Sequence, residues 1–215
     1  MIKNCAMLEY KDFLVVGHPR GGTTYSSKLF KTFGFDVGHE KVNASGTASW
    51  CFGSPQGWNF WTDKMKRDQY YFKWIFLNVR HPLSVITSLV TEHAKNQESL
   101  KLVSQWTGHT FNNTDPIALA TERYLFWDNY LWETNNIDFW FRVENDQKKL
   151  YDYLKFLGYE PFYHLGEGKI NEHVVPRNIN TRPKVNDNLT LEDIPVKLRG
   201  AVENKISYYG YSLEY

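Results

Sequence analysis

FLVVGHPRGGTTYSSKLF, residues 13–30, sets an apolar run of strand character against a turn holding Gly17, Pro19, Gly21 and Gly22, then resumes as a helix. Strand, glycine-rich turn and helix make the layout of a phosphate cradle. Glycines let backbone N–H groups close on an oxyanion, and the helix N-terminus adds its positive end. Thr23 and Thr24 offer hydroxyl donors, and Arg20 places a full charge within the turn. Aligned on the pattern G-x-x-x-x-G-K-[ST], Gly17, Gly22 and Thr24 fit, while Thr23 stands at the lysine position. The missing lysine points away from an ordinary ATPase or kinase. A tight turn with a capping threonine would also join strand to helix, but it needs neither Arg20 nor two adjacent glycines.

Strands and helices alternate outward from this stretch. The pattern predicts a strand over 13–17, a helix over 23–33 ended by Gly34, a second buried strand over 71–79 and a helix over 83–94. Asp115 followed by Pro116 offers an N-cap and a proline at the first helical position, opening an aromatic helix to about Glu133. A strand over 137–143 follows, then a helix capped by Asn145, running to Leu157 and stopped by Gly158. Residues 159–189 read as loop and 190–208 as helix. The alternation predicts an α/β fold, a single domain over 1–215 with a parallel sheet flanked by helices, of the P-loop nucleotide-binding type.

Composition narrows the function classes. A formal charge of +1 over 215 residues gives no bulk electrostatic case for nucleic acid or for an anionic membrane, so anion contacts must be local. No apolar run approaches membrane-spanning length, the start MIKNCAMLEYKDF lacks the apolar core of a signal peptide, and the cysteines are Cys5 and Cys51 alone. The expected location is the cytoplasm. His93, His109, His164 and His173 show no metal-ligand spacing with Cys or carboxylates, and no metal is expected.

In parallel sheets ligands sit where strands end and helices begin. A second such junction reads NVRHPLSVITSL, with Arg80 at the strand end and Ser88 eight positions on, about two turns into the next helix. From there Ser88 reaches back toward an anion held by Arg80. Taken alone, an Arg before a helix and a serine on its packed face are common. With the first junction, the pair suits a ligand phosphorylated at two separate places.

HPRGGTTY followed by RHPLSVITS resembles the two cofactor signatures of the sulfotransferases that use 3'-phosphoadenosine 5'-phosphosulfate (PAPS). A weaker match is FRVENDQKKLYDYLKFLG, residues 141–158, which is similar to that family's R-Y-E-D-L segment and the helix behind it. The likeness runs from about residue 13 to residue 158. It implies that Arg20, Gly21, Gly22, Thr23 and Thr24 cradle the 5'-phosphosulfate, that Arg80 and Ser88 hold the 3'-phosphate, and that the product is 3',5'-ADP. The 5' group that this resemblance puts in the cradle, one phosphate and one sulfonate, needs less charge than a triphosphate, which accounts for the absent lysine and metal. The family position of Arg20 assigns it to the bridging oxygen as the sulfonate departs. A fixed cation does this by electrostatics rather than by proton donation.

Transfer to a hydroxyl or amine also requires a base. FDVGHEKV sets His39 and Glu40 side by side after a short strand, and Glu40 follows Arg20 by 20 positions, a spacing like that of the catalytic glutamate in the tyrosylprotein branch. Glu40 is the favoured base and His39 the second. Tyr25 stands where relatives often carry a tryptophan that stacks on adenine; ordinary helix packing is the alternative. Val143 replaces the tyrosine of R-Y-E, and Glu144 reads as structural. In the late loop Arg177, Arg182 and Lys184 are basic, and Arg182 is the candidate to close over the 3'-phosphate. Residues 41–70 suit an acceptor-lining loop, with Trp50, Trp58 and Trp61 able to stack on a sugar or phenol, although tryptophans also serve as core anchors. The acceptor class, small molecule, glycan or peptide, stays open. So do two other readings of the same cradle: a small-molecule kinase, and a catalytically idle nucleotide-binding protein of this fold.

Overall fold

The computed structural model describes residues 8–58, 65–93, 97–162 and 189–213. Within them five strands form one sheet: β1 (Glu9–Gly17), β2 (Val37–His39), β3 (Gly46–Ala48), β4 (Tyr70–Val79) and β5 (Phe139–Arg142). They lie in the order β2-β3-β1-β4-β5, every pairing parallel. The helices are α1 (Thr23–Thr32), α2 (Pro82–His93), α3 (Glu98–Thr107), α4 (Pro116–Thr134), α5 (Gln147–Phe156) and α6 (Val196–Tyr208).

The period-2 alternation of β1 sorts its side chains to opposite faces. Phe13 and Val15, with Phe76 and Phe141, pack on Leu29 and Phe30 of α1 and on Leu150 and Leu154 of α5. Leu14 and Val16, with Leu77 and Val79, pack on Trp106 of α3 and on Trp127 and Leu131 of α4. A strand buried on both faces explains the unbroken run FLVV, and each such side chain contributes about 1.5–3 kcal/mol. Beyond the sheet, α2 and α6 meet α4 through Ile86, Leu89, Tyr124, Val202 and Ile206. The protein is α/β, with a parallel sheet flanked by helices.

Local signals behave as their chemistry requires in most places. Asp115 Oδ1 accepts from the N–H groups of Ile117 and Ala118 at 2.8 and 3.0 Å, and Pro116 opens α4. Gly34 and Gly158 end their helices at φ 90° and 85°. The cap of α5 is a correction: Asp146, not Asn145, occupies it, and its carboxylate turns back to the Arg142 N–H and guanidinium, each at 2.9 Å. Thr190 and Asp193 form a bonded turn before α6, which therefore starts at Val196 rather than 190. Both β3, inside the stretch expected to be loop, and α3 were not anticipated. No described helix is long and apolar enough to cross a membrane.

Candidate active site

Because every strand runs the same way, the turns after β1 and β4 emerge side by side at one edge of the sheet. Gly17 lies opposite Asn78, and a Cβ on Gly17 would stand 2.2 Å from Asn78 Oδ1, so no larger residue fits. Asn78 Nδ2 donates to the Gly21 carbonyl at 2.8 Å and the Gly21 N–H donates to the His18 carbonyl at 2.8 Å, which closes the turn. Gly22 caps α1 at φ 105°, with no side-chain hydrogen bond at the cap and no acidic residue in the first turn. A helix end arranged in this way is open to an oxyanion.

Among the described residues two non-glycines hold positive φ: Arg20 at 68° and Glu40 at 51°. Such backbone costs on the order of 1–3 kcal/mol each and gathers at functional sites. Here it falls on the residues expected to carry charge and base. His39, at the end of β2, brings Nε2 to 3.3 Å from Thr23 Oγ1 and 3.0 Å from Thr24 Oγ1. Glu40 Oε1 lies 3.9 Å from the same nitrogen. The two base candidates thus abut the cradle.

Their environments differ. Glu40 is 8% exposed; it accepts from Ser49 Oγ at 2.5 Å and from the Trp50 N–H at 3.2 Å. Burial pushes its carboxyl up to about 7, with the hydrogen bonds from Ser49, Trp50 and Cys51 pulling the other way. Burial lowers His39, so its imidazole is neutral at pH 7. A carboxyl that titrates near neutrality and a neutral imidazole are both able to accept a proton.

At the second junction Arg80 is half-buried and its Nη1 donates to the Arg20 carbonyl at 3.4 Å, which links the two turns. Ser88 is also half-buried, but its hydroxyl donates to the Ser84 carbonyl at 2.9 Å along its own helix. Its donor is therefore engaged, and what it retains toward an anion is gained by rotating away from that bond. Glu144 accepts from the His81 N–H at 3.1 Å and from Tyr211 Oη at 2.5 Å, a structural role. The Tyr25 hydroxyl accepts from Gln147 Nε2 at 2.6 Å, which orients the ring against the start of α5. Arg177, Arg182, Lys184, Trp61, His164 and His173 lie outside the described residues.

Trp50 is not an acceptor-lining ring. It is 5% exposed and packs on Trp106 and Trp127 with centroids 5.8 and 6.3 Å apart, while Trp58 sets its edge on Trp106 at 5.6 Å. The stretch 41–58 is thus anchored in the core by its aromatic residues.

Residues of the site that no motif announces lie behind the cradle. His18 is 2% exposed, stacks on Tyr124 with centroids 4.5 Å apart, and donates from Nε2 to Asp128 Oδ1 at 3.1 Å. Asp128 also accepts from Lys205 Nζ at 2.7 Å and from Tyr209 Oη at 2.8 Å. Burial raises the Asp128 carboxyl, but His18 and Lys205 outweigh it and hold it below its usual range; burial keeps His18 neutral. Trp127 Nε1 donates to the Gly17 carbonyl at 3.1 Å. One signal was available for Asn78, an amide inside the apolar run YFKWIFLNV. For Asp128 and Trp127, 110 residues from their partners, there was none. No family model, curated protein or solved structure matches the chain.

Proposed function

We propose that the protein is a sulfotransferase of the P-loop nucleotide-binding type, moving a sulfonate from PAPS to a hydroxyl or amine of a small-molecule, glycan or peptide acceptor. The observation that carries the reading is the contact of His39 Nε2 with the Thr23 and Thr24 hydroxyls, with Glu40 3.9 Å away, which brings proton acceptors onto an anion cradle. The residues suit the donor: an uncapped helix start, hydroxyls, one arginine in the turn and a second arginine on the neighbouring turn match two separated anionic groups. Gly21, Gly22, Thr23 and Thr24 hold the 5'-phosphosulfate, Arg80 and Ser88 the 3'-phosphate with Arg182 as a further cation, and Tyr25 stacks on the base. PAPS supplies an electrophilic sulfur and a phosphate leaving group, and no magnesium is required.

Arg20 stabilises the negative charge that grows on the leaving side, a role suited to a cation held rigidly in left-handed backbone. Glu40 accepts the acceptor's proton. Its carboxyl, pushed up to about 7, is substantially ionised at neutral pH and far more basic than an ordinary glutamate. His39 holds the threonine hydroxyls and is the second candidate base. A cytoplasmic location belongs to the same proposal.

Calorimetry with 3',5'-ADP in the absence of magnesium tests the donor site, and labelled PAPS offered with phenols, glycans, amines and tyrosyl peptides tests transfer. Tight 3',5'-ADP binding and label in an acceptor are expected. Binding of ATP that depends on magnesium, with none of 3',5'-ADP, would turn the reading to a kinase. Retained 3',5'-ADP binding without transfer to any acceptor would turn it to an idle nucleotide-binding protein.

A further inference from the structure

Arg123, in the middle of α4, is 1% exposed, and among the described residues none of its three guanidinium nitrogens has a hydrogen-bond partner. No ion pair of the described residues includes it. Burial pushes the group down to about 10, with the Glu92 charge pulling the other way, so it remains a cation at pH 7. A buried cation with five unused N–H donors is among the costliest things a fold can contain. Packing alone does not call for it, since methionine or leucine would fill the same helix face without that cost.

The surroundings share the deficit. Tyr124 is 1% exposed with its hydroxyl unpartnered among the described residues, and it stacks on His18, whose Nδ1 is buried and likewise unpartnered there. Arg123 precedes on α4 the residue whose ring stacks on His18, so it lies on the stretch of helix that backs the cradle, and its charge acts on that same His18. Asp128, one turn beyond Tyr124, is already engaged by Lys205, Tyr209 and His18. On α2, Glu92 has one oxygen bonded to Ser99 Oγ and the other buried without a partner. Among the described residues neither Glu92, Asp128 nor the His18 Nδ1 lone pair gives the guanidinium a hydrogen bond, so its five donors are unused although acceptors lie in the same region.

We propose that Arg123 forms an anion subsite behind the cradle that receives a carboxylate of the acceptor. Calling the ligand the acceptor rests on the sulfotransferase reading; the anion subsite itself does not. A carboxylate presents two oxygens in one plane, the geometry that a guanidinium fork meets with paired hydrogen bonds. The negative charge of Glu92 on the same cation disfavours a doubly charged group such as phosphate. At 1% exposure the subsite is closed without ligand, so occupancy accompanies a local opening.

Two measurements on the full chain test this with Arg123→Met, which keeps an unbranched side chain and removes the charge. If the arginine waits for a ligand, the substitution raises Tm by about 5 °C. A Tm below that of the wild type means that Arg123 supports the fold, and overturns the proposal. The second measurement titrates 4-hydroxybenzoate, 4-hydroxyphenylacetate and a tyrosyl peptide with a free carboxylate, each against its methyl ester, by calorimetry and thermal shift. The wild type binds at least one acid about tenfold more tightly than its ester, Arg123→Met treats the two alike, and Arg123→Lys keeps part of the preference. No acid–ester difference in the wild type, or one that survives in Arg123→Met, refutes the subsite. Neither measurement uses a donor. Absent 3',5'-ADP binding would sink the transferase reading while leaving an Arg123-dependent preference intact, and normal 3',5'-ADP binding with no such preference would sink the subsite alone.

Discussion

The turns after β1 and β4 leave neighbouring parallel strands at the same edge of the sheet and each feeds a helix, yet they are built to meet an anion differently. The first spans residues 18–22, carries left-handed backbone at Arg20 and Gly22, and leaves the start of α1 without a side-chain cap. The second spans residues 80–81 and holds no positive φ; the His81 N–H is taken by Glu144, and Pro82 has no N–H to give. On the proposed reading, recognition at the first turn rests on main-chain donors, while at the second it rests on the Arg80 side chain. Shared topology supplies the location and the local chain decides the chemistry.

That contrast is open to attack, most severely through Glu40, the proposed base, which abuts the first turn. Glu40→Gln is expected to lower kcat by about 10²–10⁴ with 3',5'-ADP affinity unchanged. A parallel loss of affinity would mean that Glu40 shapes the cradle instead. Glu40 also predicts two opposite pH dependences. Turnover rises as pH passes about 7 and the carboxylate forms. The folded value lies above the ordinary 4.5, so the native state binds the extra proton; the stability this contributes is fully present below 4.5 and is lost as pH rises through about 7. Denaturation curves of the wild type against Glu40→Gln across that window would show the slope in the wild type and its absence in the variant.

Next in size, Arg20→Ala should reduce kcat by about 10²–10³ while changing 3',5'-ADP affinity far less, since its charge is needed as the leaving oxygen develops. Equal losses would make it a binding residue and bring the two turns closer in kind. Arg80→Ala is expected to weaken 3',5'-ADP binding by about 2 kcal/mol, because a phosphate loses its charge-assisted partner and the His81 N–H beside it is already taken by Glu144. An unchanged Kd would refute the side-chain reading of the second turn. Smallest is Glu144→Gln, which keeps the shape and removes the charge that the His81 N–H and Tyr211 bond to; a stability loss of about 1 kcal/mol by urea denaturation is expected, with little effect on nucleotide affinity.

The contrast also explains what the sequence disclosed. Gly17, Gly22, Arg20 and the two threonines form a local pattern, so the cradle was readable from residues 13–30, as were the long strand β4 and the capped helix α4. β3 escaped notice because Gly46–Ala48 is three residues long, and its strand character comes from lying between β1 and β2 rather than from any periodicity. Asn145 and Asp146 are both good capping residues; the choice fell to Asp146, whose carboxylate also meets Arg142. Glu40 was found by spacing, but its raised pKa depends on burial beside Ser49 and Trp50, which no spacing encodes. Nothing in the sequence of α4 sets Arg123 apart, and its isolation is visible only once α2 has packed on α4.

The fastening of the cradle to α4 bears on how the chain folds. Trp127 holds the Gly17 carbonyl and Asp128 holds His18, both across 110 residues of sequence. Two consecutive residues of one helix thus clamp the last residue of β1 and the first of the turn. The strained backbone at Arg20 is held by the Asn78 and Arg80 bonds together with this clamp, all of them far apart in sequence, so the turn takes its working shape late in folding, after the slow closure of long loops. A peptide spanning residues 13–30 would carry the whole motif and still not make the site.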